Sequence, residues 1–286
     1  MEINEPPFAL LDMGDHEWRF QESDAMDETT GKFDELLERH QGQKELPGAL
    51  RKFVKAHPDH IDGLHHYASC LGDAGKRLEA LAFSQTAVAT GLRALPATFA
   101  VGRDRLPTGW VQNRPFLRAL HGLTSAQWAA GLRQAAISSG ELCLALDPED
   151  RMGARFSLIS FHLDSARPKL ALALFERERY RDMFHVFEYL RAFALITVGK
   201  EDEAKTVLRD CCLSSYPQVA RFILEPDTAR PANDGWGIAI GSEFEGWYYA
   251  QQFGFTWRTH ERATAILVAE TRAIAARNWG RFGKEG

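Results

Sequence analysis

The sequence has no run approaching the roughly 18–20 apolar residues that a membrane helix requires, which excludes a helical membrane span. Four cysteines in 286 residues (Cys70, Cys143, Cys211 and Cys212) are too few for a disulfide framework. That scarcity predicts a reducing, cytoplasmic setting. Basic charge is also lacking. The net charge is −5 and the isoelectric point lies near 6.1, so no global field exists to hold nucleic acid or an anionic membrane. The opening residues, MEINEPPFALLDMGDHEWRF, have no basic stretch leading into an apolar core and predict no signal peptide. GxSxG, P-loop, GxGxxG and HExxH motifs are all missing. The expectation is a non-enzymatic protein without a cofactor.

What is present is a period. Gly131 and Gly199 lie 68 residues apart, two intervals of 34, and Ala136 with Ala204 and Cys143 with Cys211 share that spacing. The apolar fraction of 45% is enough to bury a core along such a repeat. Each glycine sits between two stretches of helical periodicity, where it would close the first helix. Four intervals follow, about 61–94, 117–150, 151–184 and 185–218, with Ser165 replacing the glycine in the third. Residues 95–116 break the period, and Pro96, Gly102, Pro107, Gly109 and Pro115 mark an insertion. Residues 1–28 show no sustained period and are expected to be a tail or loosely docked arm. The array is expected over 29–224. A loop and a C-terminal helix pair over 225–286 would cap it, opened by the capping box Ser242–Glu245.

A 34-residue helix–turn–helix period resembles the tetratricopeptide repeat (TPR) superfamily. The stretches NRPFLRALHGL, LALDPEDRMGARFSLI and GSEFEGWYYA are also similar to a subgroup that includes homologues of the suppression-of-tumorigenicity-seven protein and bacterial stand-alone TPR proteins. The resemblance implies an all-α, right-handed helical-repeat solenoid of about four helix pairs between divergent caps. It also implies recurring slots within the 34. Small residues at 8, 20 and 27 let two helices approach, and large ones at 4, 7, 11 and 24 fill the gaps. In the first interval these are Leu64, Tyr67, Ala68, Leu71, Ala80 and Ala87, and in the second Leu120, Leu123, Ala136 and Cys143. Cys211 takes the same small-residue slot as Cys143, where a buried thiol behaves as a small hydrophobe.

TPR arrays bind peptides in a concave groove lined by slots 2, 5 and 9. Here the groove residues would be His65, Arg118, His121, Arg155, Tyr189 and Phe193. Arg118 and Arg155 would serve as charge partners for a protein or peptide with an acidic or carboxylate end. The function expected is therefore a protein-interaction scaffold. A rival is a nucleic-acid-binding module using Trp110 with Arg103, Arg105 and Arg114 of the insertion. A third reading is a metal-dependent enzyme at the His57, His60, His65 and His66 cluster. The adjacent pair points about 100° apart on a helix, which makes convergence awkward. The first reading is preferred.

Overall fold

A computed structural model describes residues 6–40, 42–176, 185–233 and 238–282. Helix accounts for 69% of it, and one two-stranded hairpin is the only sheet among the described residues, so the class is all-α. The chain divides into two compact units, residues 1–158 and 159–286.

The first unit begins with strands β1 (Phe8–Asp12) and β2 (Trp18–Glu22), antiparallel with Phe8 opposite Glu22. Strand alternation sends Phe8 and Phe20 inward, where both are buried. Helices α1 (Asp24–His40), α2 (Leu46–Ala56), α3 (Ile61–Asp73), α4 (Arg77–Arg93), α5 (Arg114–Ala129) and α6 (Arg133–Leu146) follow. The division between units falls within α7 (Ala154–Asp164). The second unit continues with α8 (Pro168–Phe175), α9 (Glu188–Thr197), α10 (Glu201–Val207), α11 (Pro217–Leu224), α12 (Glu243–Arg258) and α13 (Glu261–Phe282). Proline stands in the first turn of α2, α5, α8 and α11, where its missing N–H costs nothing. Ser242 caps α12 by accepting the Glu245 N–H at 3.0 Å.

The periodic glycines close helices as expected. Gly75, Gly131 and Gly199 have φ of +75°, +81° and +83°. The next residue in each case (Lys76, Leu132, Lys200) donates its N–H to the carbonyl of Leu71, Gln127 or Leu195 at 2.9 Å, a Schellman closure. The third turn does the same one residue late. Ala166 takes the left-handed position at φ +54°, and Arg167 donates to the His162 carbonyl at 2.7 Å. Small and large slot residues of the α3–α4, α5–α6 and α9–α10 pairs are buried as the period predicts, among them Leu64, Ala87, Leu120, Ala136, Leu195 and Ala204. Cys143 is buried too, and burial pushes its thiol up to about 12. Cys211 departs from the expectation. A six-residue π-helical stretch, Leu208–Leu213, follows α10. Its wider turn shifts the phase, so Cys212 is fully buried and Cys211 only half-buried.

Two segments differ from the sequence reading. Residues 8–22, expected as a tail or loosely docked arm, form the hairpin, and α1 starts at Asp24. The 95–116 insertion is the surface on which that hairpin sits. Asn113, fully buried, accepts the Phe20 N–H at 2.9 Å and donates to the Trp18 and Pro107 carbonyls at 3.0 Å. Trp18 donates to the Arg105 carbonyl at 2.9 Å, and Phe20 meets Phe116 with ring centroids 5.2 Å apart. Gly91 permits this packing, because a β-carbon there would lie 2.1 Å from the Phe116 ring. The end of the third expected interval (177–184) and part of the loop before α12 (234–237) lie outside the described residues.

Candidate functional site

Helices α3, α4 and α5 enclose a cavity of about 340 Å³ in the first unit. Its floor is made of small residues, including Ala68, Ala80, Gly122 and Ala126. Its polar groups are His65, Ser69 and Asp73 from α3, Arg77 and Ser84 from α4, and Ser125 from α5. The space has a local cause. Ser84 occupies slot 24 of its interval, where the repeat calls for a large side chain. The same slot of the next interval holds Gly140, but there Leu158 reaches in, 2.8 Å from where a β-carbon would stand. Beside Ser84 nothing comparable fills the gap, and the cavity remains.

His65 forms one wall. Its ring lies over Gly122, where an added β-carbon would come within 2.7 Å of Nδ1. Burial, reinforced by neighbouring His66, lowers its pKa to about 4, so the imidazole is neutral near pH 7. Among the described residues, neither ring nitrogen of His65 and no partner of the Ser84 hydroxyl completes a hydrogen bond, although Ser84 is only 3% exposed. Both groups line the cavity and stand open to hydrogen bonds from whatever enters it. Ser84 and Gly122 escaped the sequence reading, which considered only first-helix slots 2, 5 and 9. A small polar residue in a large-residue slot was the signal available.

The six expected groove residues do not form one surface. His65 lines the cavity, and Arg118 and His121 stand on α5 beside it. Arg118 is already engaged, clasping Asp62 with Nε and Nη2 at 3.1 and 2.5 Å. His121 lies 3.4 Å from the Ser157 hydroxyl, and burial lowers its pKa. Arg155 is 2% exposed and donates to the equally buried Asp150 carboxylate at 2.8 Å. Tyr189 and Phe193 belong to the second unit's core, packed on Trp257 with centroids 6.5 and 5.3 Å away. The expectation of Arg118 and Arg155 as free charge partners is therefore corrected, as is that of Tyr189 and Phe193 as an apolar groove end. A groove slot read from one helix cannot show that another helix covers it.

The histidine cluster has other work. His60 caps α3, its Nδ1 accepting the Gly63 N–H at 2.9 Å. That fixes the proton on Nε2, which faces the Thr30 hydroxyl at 3.2 Å. Thr30 in turn donates to Glu22 at 2.9 Å. His57 and His66 pack on Phe53 and Phe33 at 4.8 and 5.5 Å. Among the described residues no three His, Cys, Asp or Glu side chains converge as a metal site requires. The insertion arginines are likewise spent internally. Arg103 clasps Asp104, holding its carboxyl well below the usual range. Arg105 reaches the Asp15 carbonyl and Arg114 that of Thr108, both at 3.1 Å. Trp110 lies beneath Arg19, 5.6 Å from the guanidinium carbon.

The model of the family described as transcriptional repressor TCF25 matches residues 18–234. The chain belongs to this family. The transcriptional repressor TCF25 match runs from β2 past α11, and so takes in the hairpin's second strand, the insertion and every residue of the cavity. The tetratricopeptide resemblance holds only at the coarser level of an all-α, helical-repeat-like array. No curated protein matches the chain. No helix among the described residues is long and apolar enough to cross a membrane.

Proposed function

We propose that this protein is a regulatory protein that acts by holding another polypeptide in the α3–α4–α5 cavity, without chemistry of its own. The observation that carries the reading is a preformed cavity walled by hydrogen-bonding groups that the fold leaves without partners. The family's description, transcriptional repressor, supports a regulatory setting and moves the expected location from cytoplasm to nucleus. Direct nucleic-acid binding is the less favoured reading, since Arg103, Arg105 and Arg114 serve the hairpin and insertion and the net charge is −5.

A photo-crosslinking amino acid at Ser125, an exposed residue on the cavity rim, tests the proposal in cells. A control carries the same group at exposed Lys52 on α2. Discrete protein adducts from the Ser125 position and none from Lys52, recovered from nuclear extract, are the expected result. Equal adducts from both, or none from either, would remove the cavity as the binding site.

A further inference from the structure

The cavity's chemistry says more about its occupant. We propose that the α3–α4–α5 cavity takes an extended, uncharged stretch of polypeptide rich in small residues, recognised through its peptide groups by His65 and Ser84. This rests on the reading of the cavity as the binding site and names the ligand class for it.

Shape comes first. No Phe, Tyr, Trp or large aliphatic side chain lines the cavity, so it offers no pocket for a hydrophobic anchor. Its volume of about 340 Å³ lies at the small end of ligand sites, and its floor is alanine and glycine. A chain of small residues can lie close to such a floor, whereas a bulky side chain would hold the backbone away. Ser69, Ser125 and Ala129 at the margins are exposed, so a chain can enter and leave.

Charge comes next. The nearby cation Arg118 is neutralised by Asp62 across α3 and α5. At the rim Asp73 and Arg77 are both exposed and of opposite sign. The other groups facing His65 are His66 and His121, each with a lowered pKa and neutral near pH 7. The only fixed charges on the lining are the exposed pair of opposite sign, Asp73 and Arg77, so the cavity carries no net charge to select an ionic ligand. The groups open to a ligand are a neutral imidazole, which offers one donor and one acceptor, and a hydroxyl, which offers both. Peptide N–H and C=O groups match that set without burying charge.

The test is selection from a displayed library of random ten-residue peptides on the full chain at pH 7.5. Counter-selection uses Ser125→Trp, which fills the cavity from an exposed helical position. The expected peptides carry a run of Gly, Ala, Ser or Asn with no shared charged residue. Their affinity should be unchanged between pH 7.5 and 6.0, and should fall at least tenfold on methylation of one central peptide nitrogen. His65→Leu should lose the same factor at unaltered melting temperature, and His65→Gln should recover most of it. Peptides sharing an acidic residue, bound more tightly as pH falls and His65 takes up a proton, would overturn the uncharged ligand while leaving the cavity as the site. Peptides that bind Ser125→Trp as well as the parent, or no enrichment over the counter-selection, would overturn both.

Discussion

Single residues decide the quality of this repeat more than its overall composition does. At the third turn the chain needs a left-handed residue and supplies Ala166 at φ +54°, one position after Ser165. A residue with a β-carbon there costs roughly 1–2 kcal/mol relative to its ordinary conformations. Gly131, at φ +81°, carries no such cost, and nothing lies within 4 Å of a β-carbon built on it, so its requirement is conformational alone. Ala166→Gly is therefore expected to raise stability by about 1 kcal/mol and Gly131→Ala to lower it by a similar amount. Urea midpoints of the two variants check this. A drop in midpoint for Ala166→Gly would mean that the turn relies on the methyl group. The arginines teach the same lesson in charge. Arg118 and Arg155 have the residue type that carboxylate recognition wants, but Asp62 and Asp150 of this chain already occupy them.

At the scale of the element, α3 is tied to the hairpin and α1 by a relay from Gly63 through His60 and Thr30 to Glu22. The relay works only with a neutral imidazole, because His60 Nδ1 accepts the capping N–H. Burial accordingly lowers the His60 pKa to about 4, and that of His65 on the same helix to about 4. In the unfolded chain these groups titrate near 6.5. As pH falls below that value the unfolded state binds protons that the folded state refuses. The associated stability is thus full above about pH 6.5 and is lost progressively toward pH 4, by up to roughly 3 kcal/mol for each such histidine. Glu22 and Asp150, whose pKa values burial raises, act in the opposite sense. Urea midpoints at pH 7.5, 6.0 and 5.0 should fall in that order, and His60→Asn, which keeps a capping acceptor but does not titrate, should flatten the slope. A midpoint independent of pH across this range would show that these rings stay accessible to protons when folded.

For the molecule as a whole, the charge distribution sets what it can meet at a distance. The net charge is −5, and Arg103, Arg118 and Arg155 are paired within the chain, which disfavours binding to a phosphate backbone. Titration with single-stranded RNA at 50 mM salt is expected to give no saturable binding. Micromolar binding with a steep fall on added salt would revive the nucleic-acid reading.

The sequence by itself determined the helical class, the 34-residue interval, the glycine turns and most of the buried slots, because these are local. A left-handed glycine and apolar residues at helical spacing act within one turn or one helix pair. Proline and serine likewise announced the starts of α8 and α12. Tertiary structure decided what depends on partners distant in the chain. Asn113 joins the insertion to β2 across more than 90 residues, turning an expected loop and an expected tail into one packed layer. Arg118 meets Asp62 from 56 residues away. The cavity itself exists because the side chain missing at Ser84 is not replaced from another helix, as the one missing at Gly140 is by Leu158. Whether a gap is filled depends on how helices meet in space, and spacing along one chain does not encode that.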